Sequence, residues 1–193
     1  MFTWKEHTAA IITKLNKACF AIRAIEPFMS PKVLRSVYFS YFHSVMSYGI
    51  FWGSSNISNN VFKIQKRAIR IIANKNKRDS CRQLYSQFQI LTLPAQYILS
   101  LVMFVIKHNE VFIPNSEIHD LNTRSKYMLH YPTTSLSLVQ KGVLYSGIKI
   151  FNHLSAHIRA SSNNVKQFKC KLKNLLLEQS LYSTDEFYQR TFT

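Results

Sequence analysis

Nine carboxylates stand in this 193-residue chain: Glu6, Glu26, Asp79, Glu110, Glu117, Asp120, Glu178, Asp185 and Glu186. Two-metal phosphoryl transfer needs carboxylates converging on a pair of ions roughly 4 Å apart. Only Asp185 and Glu186 are adjacent, near the end of the sequence with nothing else to complete a site. Asp79 is embedded among Lys75, Lys77, Arg78 and Arg82, where the expected role is pairing with arginine or capping the next helix. His153 and His157 have the i, i+4 spacing that places zinc ligands on one helical face. Leu154 stands where a His-Glu-x-x-His metalloprotease carries its Glu, so two ordinary surface or boundary histidines is the preferred reading. Cys19, Cys81 and Cys170 lie far apart, each on or beside an apolar stripe where Cys acts as a small hydrophobe. Four glycines are too few for a phosphate-cradling loop. The sequence therefore predicts no catalytic residue, no metal, no cofactor and no enzyme activity on this chain.

Charge points elsewhere. Lys and Arg number 25 against 9 Asp and Glu, a formal net charge of +16. Self-repulsion on that scale opposes compaction and is usually tolerated when the partner is a polyanion. The excess is concentrated in Lys63, Lys66, Arg67, Arg70, Lys75, Lys77, Arg78 and Arg82, eight cations with Asp79 as the one intervening acid. Each cation that neutralises a phosphate releases condensed counterions, so such a stretch suits a nucleic-acid backbone held without reading sequence. A solvated basic face and an anionic membrane surface are the competing readings. Tyr38, Tyr41, Phe42, Tyr48, Phe51 and Trp52 offer base-stacking platforms, but at helical spacing they are expected in the core.

These residues need elements to position them, and helical periodicity dominates the first 110 residues. Trp4, Ile11, Leu15, Ala18, Ile22 and Ile25 make one stripe, ended by Pro27. Ser30–Pro31 reads as an N-cap and first-turn proline, opening a helix through Val45 to about Ser47. Gly53–Ser54–Ser55–Asn56 is a polar break. From about Asn59 to Ala73, Val61, Phe62, Ile64, Ala68, Ile69, Ile71 and Ile72 fall on one side and Lys63, Lys66, Arg67 and Arg70 on the other. A short helix around Ser80–Phe88 and a long apolar one from Pro94 to about His108 follow. The expected fold is mainly α: a bundle of about five helices, an extended connection and two further helices. In residues, this is a thumb-like bundle over 1–110, a connection over 111–137 with a short strand near Met128–Tyr131, a helical segment over 138–180 and a mobile tail over 181–193. Gly142 and Gly147 weaken the first of the two late helices, whereas Val165–Gln179 has a clear stripe of Phe168, Leu172, Leu175 and Leu176 beside Lys166, Lys169 and Lys173. The longest apolar run, Tyr97 to Ile106, is about half the roughly 20 residues a membrane span needs. Without a secretory signal or paired cysteines, an intracellular site, nucleus or cytoplasm, is expected.

Several of these pieces, in order, resemble the region that follows the palm in jockey-like and related insect non-LTR retrotransposon reverse transcriptases. They are Thr3–Trp4–Lys5–Glu6–His7; Tyr41–Phe42–His43–Ser44 with Ser47–Tyr48–Gly49 and Trp52–Gly53; and Gln65–Lys66–Arg67–Ala68–Ile69–Arg70–Ile71–Ile72. Arg78–Asp79–Ser80–Cys81–Arg82, Ile90–Leu91–Thr92–Leu93–Pro94, His119–Asp120 with Asn122–Thr123–Arg124, and Tyr145–Ser146–Gly147–Ile148–Lys149 with Phe151–Asn152–His153–Leu154 complete the series. The resemblance covers nearly the whole chain and implies a thumb and post-thumb segment that holds the template–primer duplex. It also implies that the catalytic aspartates belong to an upstream palm, the expected protein partner. Ser155 departs from the family, which usually has proline there, and no Cys/His zinc knuckle is present. The expected partner is RNA or DNA, as template–primer or hybrid duplex, with no membrane. A degenerate retroelement remnant without independent activity and a basic helical interaction module are the alternatives.

Overall fold

Apolar stripes at helical spacing, few glycines and few prolines leave the chain little choice but helix, and helix is what forms. The computed structural model describes residues 4–48, 56–118, 123–140 and 142–190, and among them no strand occurs. Gly49, Phe51, Trp52 and Gly53–Ser54–Ser55 of the polar break lie outside the described residues, as do Thr3, His119, Asp120 and Asn122 and the side chains of Trp4, Lys5, Glu6, His7 and Tyr48. The chain divides into two units: the described residues up to Gln96 with Leu177–Tyr182, and Tyr97–Leu176 with those from Ser183.

In the first unit, α1 (Trp4–Ile25) packs against α4 (Asn56–Ile72). Between them the chain forms a 3-10 turn (Glu26–Phe28), α2 (Pro31–Val37), a π-helical stretch (Tyr38–His43) and α3 (Ser44–Tyr48). The expected stripes are the buried ones: Ile11, Leu15, Ala18 and Ile22 from α1, and Val61, Phe62, Ile64, Ala68, Ile69 and Ile72 from α4. Ser30 has the extended backbone of an N-cap with Pro31 following, although its hydroxyl makes no capping bond. The widened turn between α2 and α3 was not visible in the periodicity. It stacks the Tyr38 and Phe42 rings 5.1 Å apart, both fully buried. Tyr41 is exposed, so the core expectation holds for two of these three aromatics.

α4 ends in a Schellman motif. Asn74 takes a left-handed backbone (φ 48°), its N–H bonds to the Ile71 carbonyl, and the Lys75 N–H bonds to the Arg70 carbonyl at 2.9 Å. The short helix α5 (Arg82–Gln87) stops the same way, with Gln89 left-handed (φ 53°) and the Ile90 N–H on the Tyr85 carbonyl. α6 (Leu93–Lys107) begins in the first unit and runs into the second.

In the second unit, residues 111–137 are less extended than expected. A 3-10 turn (Asn109–Val111) precedes α7 (Asn115–Ile118), and one antiparallel bridge joins Pro114 to Leu129 where a strand was expected. Asn152 reinforces the bridge: its side chain accepts from the Leu129 N–H and donates to the Leu129 carbonyl, both at 2.9 Å. α8 (Ser137–Gln140), α9 (Val143–His153), α10 (Ala156–Arg159), α11 (Val165–Gln179) and α12 (Thr184–Gln189) follow. Gly142 is the extended N-cap of α9. Gly147 lets α9 approach α6, since a Cβ there would stand 2.9 Å from the Val105 side chain. The tail is not the frayed segment expected from sequence. Ser183 caps α12 by accepting from the Glu186 N–H, Leu181 and Phe187 are fully buried, and His153 Nε2 lies 3.1 Å from the Phe187 and Arg190 carbonyls.

Candidate nucleic-acid interface

α4 presents its cations because its apolar residues are drawn into the first unit's core, leaving Lys63, Lys66, Arg67 and Arg70 on the other side. The Schellman turn then carries the chain into Lys75, Lys77 and Arg78, and α5 opens with Arg82. Lys63, Arg67, Lys75, Lys77 and Arg78 are exposed, while Lys66, Arg70 and Arg82 are partly buried. The eight are thus of two kinds, a distinction charge spacing does not reveal.

The partly buried three converge on a residue the sequence reasoning passed over. Tyr182 belongs to the first unit, and the Arg82 guanidinium lies 4.4 Å from its ring centre. Lys66 Nζ sits over both the Phe62 ring (4.6 Å) and the Tyr182 ring (5.4 Å). Burial, helped by the neighbouring Cys81 thiol, pushes the Tyr182 hydroxyl up to about 12, and Arg82 and Arg70 act in the opposite sense. Aromatic faces attract these cations through the ring quadrupole. Arg70 donates from Nε to the Asp79 backbone carbonyl at 2.8 Å, using one of its five N–H donors. Asp79 itself accepts from the Asn76 N–H at 2.9 Å, so it closes the turn rather than capping α5, whose N-cap is Cys81.

The positive surface also reaches α1. Arg67 donates to the Asn16 side chain at 3.3 Å, and Arg67 and Arg23 both act on the buried Cys19 thiol. Burial nevertheless dominates there and pushes Cys19 up to about 11, an inert thiol.

Beneath the cations lies Gln65, the first residue of the Gln65–Ile72 resemblance, in a buried role its spacing did not reveal. Gln65 is fully buried, and its amide donates to the Tyr38 hydroxyl and the Leu91 carbonyl, each at 2.9 Å. Its oxygen accepts from the Leu93 N–H at 2.9 Å and the Tyr85 hydroxyl at 3.4 Å. All four bonding positions of one side chain are therefore used, and α4 is fixed to the π-helical stretch, α5 and the start of α6. This is why the cationic face has a defined orientation.

The other candidates do not assemble. His153 ends α9 and His157 lies in α10; Leu154 and Ser155 between them are extended, so the i, i+4 spacing does not place them on one helix. No group of three or more His, Cys, Asp or Glu able to hold a metal occurs among the described residues. Asp185 and Glu186 follow one another in the first turn of α12, where successive side chains diverge by about 100°. No described helix is long and apolar enough to cross a membrane. Comparison with protein-family models, curated proteins and solved structures returns no match.

Proposed function

We propose that this chain is a non-catalytic segment of a non-LTR retrotransposon RNA-directed DNA polymerase that holds the template–primer duplex by its phosphate backbone. The observation that carries the reading is the single-sign surface of α4 and the loop after it. Lys63, Arg67, Lys75, Lys77 and Arg78 are exposed on it, and its one acid is turned onto a backbone amide. Lys66, Arg70 and Arg82 extend the field while being fixed by rings and a carbonyl. Lys63 to Arg70 spans about 10.5 Å of helix at about 1.5 Å per residue. That length covers about three phosphates at roughly 3.4 Å of duplex axis per strand. The contacts address phosphate and carry no base information, so RNA–DNA hybrid and DNA duplex are both accommodated.

The test is a titration of labelled RNA–DNA hybrid at several salt concentrations. Reversing Arg67, Lys75, Lys77 and Arg78 to Glu spares the cations that also support the fold. The expected result is a steep salt dependence, about 0.9 in log K per log salt for each phosphate neutralised, with a slope lower by about 3.6 in the variant, four contacts at about 0.9 each. Equal affinity and slope in the variant would sink the assignment.

A further inference from the structure

α11 carries three exposed lysines along one side, and it belongs to a different unit from α4 over most of its length. Phe168 and Leu172 are fully buried and Leu176 nearly so, which turns residues 166, 169, 170, 173 and 174 outward. Those positions are Lys166, Lys169, Cys170, Lys173 and Asn174, with Lys171 half-buried at the edge. The helix's one acid, Glu178, comes after them. We propose that Lys166, Lys169 and Lys173 form a second nucleic-acid backbone contact, separate from the α4 surface. It rests on the polyanion reading above and extends it to the second unit.

Charge complementarity selects the partner. A helix lying in an anionic membrane needs an apolar side to insert. Here Phe168, Leu172 and Leu176 are committed to the core, and Val165 is the one exposed large apolar residue in this stretch. A surface of three lysines, an amide and a thiol makes point-charge contacts instead, and lysines serve that purpose on phosphate. Their spacing of i, i+3, i+7 covers about 10.5 Å, again about three phosphates along one strand.

The native Cys170 supplies the probe. It is exposed in the middle of the stripe, whereas Cys19 and Cys81 are buried. Alkylation of the full chain by a maleimide, followed by mass mapping of Cys170, is measured with and without RNA–DNA hybrid at low salt. The expected result is a severalfold slowing that salt relieves, and a Lys166→Gln/Lys169→Gln/Lys173→Gln variant whose salt slope is lower by about 2.7, three contacts at about 0.9 each. Unchanged alkylation at saturating hybrid overturns the proposal, as does slowing by phosphatidylserine vesicles with none by hybrid. Failure here with a lowered salt slope in the α4-loop variant leaves the first reading standing. Protection of Cys170 with the α4-loop variant binding normally leaves this one standing alone.

Discussion

Gln65→Leu removes one amide and strands four groups at once. The Leu91 carbonyl and the Leu93 N–H lose their partner inside the core, as do the hydroxyls of Tyr38 and Tyr85. Each buried group left unsatisfied costs about 1–3 kcal/mol. The Tyr85 bond is long, and the added apolar surface of leucine offsets part of the loss, so the net is about 3–5 kcal/mol. For a chain of this size about 1 kcal/mol moves Tm by roughly 2–4 °C, which makes the expected fall roughly 6–20 °C. Circular dichroism against temperature and against urea measures it. Gln65→Leu combined with Tyr38→Phe should lose less than the sum of the two, because removing the phenol oxygen removes one stranded group. Additive losses, or Gln65→Leu within about 1 kcal/mol of the parent, would refute the view that this amide orients α4.

Three further outcomes follow from particular positions. Cys19 is held neutral by burial up to about 11, against 9.0 ordinarily, so the unfolded chain releases its proton first. Stability is full below pH 9 and falls as pH rises towards 11, by about 1.4 kcal/mol per pH unit for such a group. Tyr38 and Tyr85, raised above 10.0 by burial, continue the loss, and Cys19→Ala should delay its onset in urea midpoints to about pH 10. Ser155 has φ −59°, follows an extended Leu154, and its hydroxyl makes no cap. Ser155→Pro should therefore raise stability by about 0.4–1 kcal/mol in thermal melts, and a loss would contradict the described backbone. Gly147→Leu forces a side chain against Val105 and should lose about 2–3 kcal/mol by the same assay; a neutral result would contradict the close approach of α9 to α6.

What was legible in the sequence was local. Val165–Gln179 forms the expected helix because its period is unambiguous, and Ser30–Pro31 marks the start of α2 because proline removes a donor only where none is needed. The eight cations were legible as a set, but not their division into exposed and held groups. That division depends on Tyr182, which lies 116 positions after Lys66 by subtraction. Gln65 was similarly hidden, because a polar residue on the buried side of α4 breaks the pattern and its partners come from three other segments. The Ser183 cap on α12 went unread. The tail is polar and charged, and its docking rests on the distant His153.

The chain leaves the first unit after Gln96 and returns to it only at Leu177. During synthesis the 80 residues from Tyr97 to Leu176 must be made before Leu181 can offer its carbonyl to the Thr92 hydroxyl, a bond of 2.6 Å. At roughly 5–20 residues per second that is an interval of about 4–16 s. Throughout it Phe62 and Tyr85 lack Tyr182, and Lys66 and Arg82 lack the ring that holds them. The nascent chain therefore carries its basic helix long before that helix is finished, and a ribosome stalled in this window displays an adhesive, half-assembled surface.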